Sequence, residues 1–428
     1  VVMLDPKTGE VLALANEPSF NPNDFSDSTT SERRNRAVQD IYEPGSTFKV
    51  VTASAALEEQ VVERDEIFDV SAGSITVAGD VIPDFHRYGE LSFTDVMVKS
   101  SNVGVIEVGF RLGQERFSRY VRRFGFGQLL SQDFPSESRG LVGDPSKLSV
   151  RGLASMSMGY QVAVTPLQMA AAIGAVANGG ELISPRVVRS IRQNGVREIS
   201  EQRVIRRAIS VDTAADLTEI MEEIVQRGTG RRAQVPGYSV AGKTGTAEKL
   251  IDGRYSHYDH NASFVGFVPS DDPRLVMLVM IDTPRSAIIN GVRQRAYTGG
   301  LVAAPIFQRI AEASLRHLAV PPSVNPEVPV IVERHLPVVE ESLVTTVAFS
   351  ATEEEAQGNI DFGLMPDLFG LSAREAMKVA GKFDLRLEFI GNGVVERQEP
   401  LPGAEIEAGA STTAWLERRV SSLKRTLR

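Results

Sequence analysis

At 428 residues, 42% of them apolar and 24% charged, the chain is long enough for two or three domains and too balanced to be fibrous or wholly disordered. A net charge of −9 argues against a nucleic-acid partner, because phosphate neutralisation needs a basic face and only the final "RRVSSLKRTLR" is basic, a run that reads as a solvated or membrane-proximal tail. The absence of cysteine removes disulfides, thiol nucleophiles and Cys-based zinc sites, and no apolar run approaches the roughly 18 residues of a membrane span.

Residues 1–16 predict a hairpin, with "VVML" and "VLALA" on either side of the turn "DPKTGE". The chain opens in strand without an initiator Met, which predicts a fragment lacking its N-terminal portion and any anchor there. From Thr47 to about Gln60, Phe48, Val51, Ala55 and Ala56 recur at helical spacing behind Pro44-Gly45-Ser46, which places "STFK" on a first helical turn. Residues 91–125 look helical in pieces, 164–178 form a helix closed by "GG", and 211–227 form another with Asp212 as its candidate cap. "YSVAGKTGTAEKL", "ASFVGFVP" and "LVMLVMID" then read as adjacent strands, and 302–316 as a closing helix. Strands at both ends of a helical middle predict an α+β domain: one sheet built from both termini, with helices around it. Beyond Ala319 comes a proline-rich linker, and beyond Met365 a small unit of one helix ("SAREAMKVAG") and strands ("LRLEFIG", "GVVERQ").

The chemistry starts from "YEPGSTFKVV". A serine hydroxyl is a weak nucleophile and needs a base, and lysine serves only when burial or a nearby positive charge keeps it neutral. Ser46 and Lys49, at i and i+3, share a helix face, and the helix start adds free N–H groups that favour charge developing on a substrate oxygen. The spacing alone decides nothing, since Ser421 and Lys424 repeat it. Two further elements follow in order: Ser100 and Asn102 in "KSSNVG", and Lys243, Thr244, Gly245 and Thr246 in "AGKTGTAEK". Ser-x-Asn recurs at Ser19 and Ser323, and Lys-Thr-Gly at Lys7, but a single set has the order and context of a serine acyl-transferase.

With these motifs, "DPKTGEVLALANEPSFNPN", "RNRAVQDIYEPGSTFK", "GYQVAVTPLQMAAA" and "SFVGFVP", the chain resembles the transpeptidase domain of class B penicillin-binding proteins, most closely the division and sporulation branch. "MPDLFGLSAREAMKVAG" with "GNGVVERQEPLPG" resembles a PASTA domain. The resemblance implies a penicillin-binding transpeptidase fold, an antiparallel sheet flanked by helices plus an all-helical subdomain, over residues 1–318. A linker over 319–359 and a PASTA-like module with basic tail over 360–428 would follow.

It also implies roles. Ser46 attacks the penultimate D-alanine carbonyl of a peptidoglycan stem peptide and is acylated by β-lactams; Lys49 takes its proton. Ser100 and Asn102 relay protons and hold Lys49. Lys243 attracts the substrate carboxylate and helps keep Lys49 neutral. Thr244 and Thr246 grip that carboxylate, Gly245 lies between them, and the N–H groups of Ser46 and Thr246 form the oxyanion hole. No metal or cofactor is implied. Expected partners are stem peptides, β-lactams, and division or glycan-polymerising proteins, at the extracytoplasmic face of the membrane through the missing anchor.

Two alternatives stand beside this: the same serine transferring its acyl group to water, as in a D,D-carboxypeptidase or β-lactam hydrolase, and a non-catalytic cell-wall sensor acting through the PASTA-like module. No carboxylate stands out as a deacylating base, which predicts a long-lived acyl-enzyme. Arg36, Asp40 and Glu43 read equally as ion pairs orienting the serine loop or as a solvated segment. His257 and His260 read as a surface loop rather than a metal pair, His86 as structural or cleft-lining, and Met156 and Met158 as core.

Overall fold

The computed structural model describes residues 1–324, apart from 145, 146, 195, 286, 290, 291 and 295, and residues 365–417, apart from 370, 372, 382, 384, 392, 393, 403 and 405–410. The chain divides into two units, Val1–Ile331 and Val332–Arg428.

In the first unit, β1 (Val2–Leu4) and β2 (Val11–Leu14) form the expected hairpin. Three strands from the other end complete the sheet: β3 (Ala241–Ile251), β4 (Arg254–Val268) and β5 (Leu275–Asp282). The order is β3-β4-β5-β1-β2, antiparallel throughout, with Val2 opposite Leu278. Both faces are buried, and the period of two sorts the side chains between them. Val2, Leu4, Val265, Phe267, Val276 and Leu278 join one core, whereas Met3, Phe264, Val268, Leu275, Met277 and Val279 join the other. That is why these strands are nearly continuous apolar runs.

Against the first face pack α1 (Lys49–Glu58), α2 (Phe93–Lys99), α3 (Asn102–Arg123), α4 (Pro166–Ala177) and α5 (Val211–Gln226). Helix α4 is buried from Pro166 to Val176 and starts in a capping box between Thr165 and Gln168. Met156 and Met158 lie in this core, as expected. The cap of α5 is Ser210, whose hydroxyl accepts from Thr213 N; Asp212 instead sits in the first turn, where its charge meets the helix dipole. On the second face lies α6 (Ala304–His317), turning Phe307, Ala311 and Leu315 inward at four-residue spacing, with Phe307 4.7 Å from Phe264.

Short strand pairs within residues 67–92 and 181–207 were not anticipated: runs of three or four residues carry too little alternation to be recognised.

The second unit contains α7 (Ala373–Gly381) and a sheet of β6 (Arg386–Gly391), β7 (Val394–Glu399) and β8 (Ser411–Glu417). Strand β8 is central, parallel to β6 and antiparallel to β7. The helix and first two strands match the sequence expectation, while β8 was not foreseen. Residues 325–364, which include most of the expected linker (319–359), and the basic tail lie outside the described residues.

Candidate active site

Ser46 lies on a 3₁₀ turn, Gly45–Phe48, that runs directly into α1. Gly45 enters it at φ +54°, a left-handed conformation that favours glycine, and its N–H donates to Gly159 O at 3.0 Å. Thr47 Oγ1 donates to Pro44 O (2.9 Å), and the buried Phe48 ring packs 5.1 Å from Phe126 and 6.3 Å from Phe117. The turn is held from inside while Ser46 stays half-exposed. Being second in the turn, Ser46 has an N–H with no acceptor within its own helix.

Lys49 follows on the inward side and is fully buried. Its Nζ lies 2.7 Å from Ser100 O, 2.8 Å from Asn102 Oδ1, 3.2 Å from Ser101 O and 3.3 Å from Ser100 Oγ. These acceptors converge because the chain breaks between α2 and α3. Ser100 ends α2 at φ +60°, a conformation costly for a residue with a side chain, and Ser101 caps α3 by accepting from Gly104 N. Burial lowers the Lys49 pKa to about 7, against the opposing charge of Asp84.

The third element arrives on β3, the edge strand of the sheet. Lys243 is also fully buried, and its Nζ donates to Ser100 Oγ at 2.9 Å, so the Ser100 hydroxyl stands between the two amines. Burial and the neighbouring Lys49 push Lys243 well below the ordinary lysine range. Thr244 and Thr246, two apart, share the other strand face. Thr244 Oγ1 is 2.7 Å from Thr229 Oγ1, and Thr246 Oγ1 accepts from Gly299 N at 3.1 Å. Gly245 faces the Ser46 turn so closely that an added Cβ would lie 2.9 Å from Thr47 Cγ2 and 3.0 Å from Pro44 O.

Residues 1–312 match the family model for the penicillin binding protein transpeptidase domain. The chain belongs to this family. Stage V sporulation protein D of Bacillus subtilis is 39% identical over 332 residues, 76% of this chain and 50% of that protein. The "Probable peptidoglycan D,D-transpeptidase PbpC" of Pseudomonas aeruginosa is 37% identical over 334 residues, 78% and 56% of the two chains. The chain thus spans about half the length of these relatives. Penicillin-binding protein 3 of Mycobacterium tuberculosis, in complex with aztreonam, superposes with a TM-score of 0.68 at 35% identity, covering 76% of this chain and 74% of that one. The fold is that of the penicillin-binding transpeptidases.

All eight residues singled out from the transpeptidase motifs fall on three adjoining elements: the Ser46 turn with α1, the α2–α3 junction and β3. Two details differ from expectation. Burial lowers the Lys49 pKa and the charge of Lys243 is not among its causes; the coupling runs the other way, with Lys49 lowering Lys243. The four contacts of Lys49 Nζ go to Ser100, Ser101 and Asn102, with the Ser46 hydroxyl not among them. The competing motifs are sorted by position: Lys7 lies in the β1–β2 turn pairing with Asp272, and Asn21 caps a separate 3₁₀ helix.

Arg36 pairs with Asp40 at 2.9 Å. Glu43 accepts from Gln161 N (2.7 Å) and Tyr255 OH (3.1 Å), with no ion pair among the described residues, and burial raises its pKa. His257 and His260 lie within β4 rather than in a loop, at a register shift in its pairing with β3, where His260 lies opposite Glu248. His257 meets Glu248 at 2.8 Å, and the buried His260 ring lies 4.7 Å from Tyr297. His86 is exposed between Phe85 and Tyr88. Sequence reasoning passed over Asp84 and Thr229, which lie in separate loops, and Gly299, which opens the short helix Gly299–Val302; none carries a motif, and only the folded contacts reveal them.

Proposed function

We propose that residues 1–318 form the transpeptidase domain of a class B penicillin-binding protein, a serine D,D-transpeptidase that cross-links peptidoglycan stem peptides and is acylated by β-lactams. The observation that carries this reading is Ser100 Oγ standing 3.3 Å from Lys49 Nζ and 2.9 Å from Lys243 Nζ, beside a serine at the mouth of a helix. With two buried amines so near, charging both is costly, and a neutral Lys49 is a base.

In the first step Ser46 Oγ bonds to the penultimate D-alanine carbonyl carbon as its proton passes to Lys49. The peptide C–N bond then breaks, and the proton reaches the departing D-alanine amine through Lys49 or Ser100. The N–H groups of Ser46 and Thr246 stabilise the oxyanion. The carboxylate end of the substrate lies against Thr244 and Thr246 near Lys243, and an extended peptide can lie along the open edge of β3. An amine from a second stem peptide then attacks the ester, forming the cross-link and freeing Ser46. Mass spectrometry of the penicillin-treated chain is expected to show one β-lactam adduct, on the peptide containing Ser46 and stable for many minutes. No adduct, or one on another serine, would refute the assignment.

The second unit is proposed as a PASTA-like module within residues 360–428, joined by a linker over 319–359. Its helix and three-stranded sheet support this, and the Arg397 guanidinium lies 3.7 Å from the Trp415 ring across two neighbouring strands. Deleting residues 360–428 is expected to leave the rate of penicillin acylation within about twofold of wild type, whereas a sensor-only protein would show no acylation to preserve. We infer that the protein acts at the extracytoplasmic face of the bacterial membrane, serving cell-wall synthesis in division or sporulation with a glycan-polymerising partner. No helix among the described residues is long and apolar enough to cross a membrane.

A further inference from the structure

Asp84 lies in the loop that follows the short strand Asp80–Pro83, outside all three motifs. Its carboxylate meets the start of α3. Oδ2 accepts from Ser101 Oγ at 2.7 Å, and Oδ1 accepts from Asn102 N and from Val103 N, the latter at 3.1 Å. The preceding residue adds a fourth bond, Asn102 Nδ2 donating to Pro83 O at 2.9 Å. That bond turns Asn102 Oδ1 toward Lys49 Nζ, 2.8 Å away. One loop therefore grips both the backbone and the side chain of the residue that holds the buried amine.

We infer that Asp84 is a positioning residue for acyl transfer, which fixes Asn102 against Lys49 and supplies the negative charge that keeps Lys49 basic enough to take the serine proton. The inference rests on the acyl-transfer reading above. Three observations carry it. The carboxylate satisfies N–H groups at a helix start, where an anion is favoured. The titratable groups set around Lys49 are Lys243 from β3, itself held well below the ordinary lysine range by burial and by Lys49, and Asp84 from this loop, whose charge favours protonation of Lys49; the contacts from α2 and α3 are neutral carbonyl, hydroxyl and amide oxygens. The field of Asp84 also reaches Tyr88 in its own loop and raises its pKa, after burial. Without that countercharge, burial would lower the amine further, leaving a base that is neutral at lower pH but weaker.

The test is the rate of acylation by a fluorescent penicillin across pH, for the full chain and for Asp84→Asn, Asp84→Glu and Asp84→Ala, with thermal unfolding to verify the fold. In Asp84→Asn the hydrogen-bonding shape survives and the charge is gone. Its acid limb is expected to move down by roughly one pH unit and its plateau rate to fall by about tenfold. Asp84→Glu keeps the charge and should keep the wild-type limb even where its plateau drops. Asp84→Ala should show the shifted limb and a lower plateau than Asp84→Asn. A folded Asp84→Asn with an unmoved acid limb would overturn the inference, and so would a Glu variant that shifts as Asn does. Absence of any acylation in the wild-type chain would instead strike the transpeptidase reading itself.

Discussion

Replacing Lys49 by arginine is expected to slow acylation of Ser46 by about 10³-fold or more, near the upper range for loss of a general base. Guanidinium remains protonated at any accessible pH, so it cannot take the serine proton whatever its surroundings do. Lysine can, because full burial lowers its pKa from 10.5 to about 7. The sign of the pH dependence follows. The base is active when neutral, so wild-type acylation should rise as pH passes upward through about 7, and Lys49→Arg should show no such limb. Stability follows the same proton. Between about 7 and 10.5 the unfolded chain holds a proton on Lys49 that the folded chain has released. Wild type should therefore gain on Lys49→Met as pH rises through that window, at up to roughly 1.4 kcal/mol per pH unit. Stopped-flow acylation and urea unfolding measure the two effects. Near wild-type acylation by Lys49→Arg would remove Lys49 from the role of base.

Substituting Gly299 by alanine is expected to cost roughly 3 kcal/mol, the upper end of overpacking penalties, and to depress acylation as well. A Cβ there would lie 2.0 Å from Ser263 O and 2.4 Å from Gly245 O, both main-chain atoms of neighbouring strands. No rotamer change relieves such a clash, so a strand must move, and the strand at stake carries Lys243, Thr244 and Thr246. The Gly299 N–H also binds Thr246 Oγ1 at 3.1 Å, so displacement loosens the hydroxyl proposed to meet the substrate carboxylate. Gly89→Ala is the control: nothing lies within 4 Å of its added Cβ, and its stability should stay within about 0.5 kcal/mol of wild type. Urea unfolding at unchanged slope, with acylation rates beside it, distinguishes the two glycines. A Gly299→Ala chain as stable as Gly89→Ala would show that the sheet yields there at little cost.

Much of this site was legible in the sequence because acyl transfer needs particular residue types held in particular local shapes. Pro44-Gly45-Ser46 encodes a turn into a helix, and the following apolar spacing encodes the helix that carries Lys49 inward. The apolar runs of β4 and β5 and the hairpin at residues 1–16 were equally plain, since each encodes its structure within a few residues. Short strands such as Ser74–Val77 with Asp80–Pro83 were not, because so few residues carry too little pattern and their pairing depends on neighbours.

By itself the sequence determined which residues can do the chemistry, the order in which they appear, and the family to which residues 1–312 belong. Tertiary structure alone decided what those residues feel. Whether Lys49 is a cation or a base depends on desolvation, and desolvation is a property of everything packed around Nζ, not of the spacing from Ser46. The same holds for Asp84 and Gly299, one set apart by the N–H groups it meets and the other by the main-chain atoms that leave it no room for a side chain.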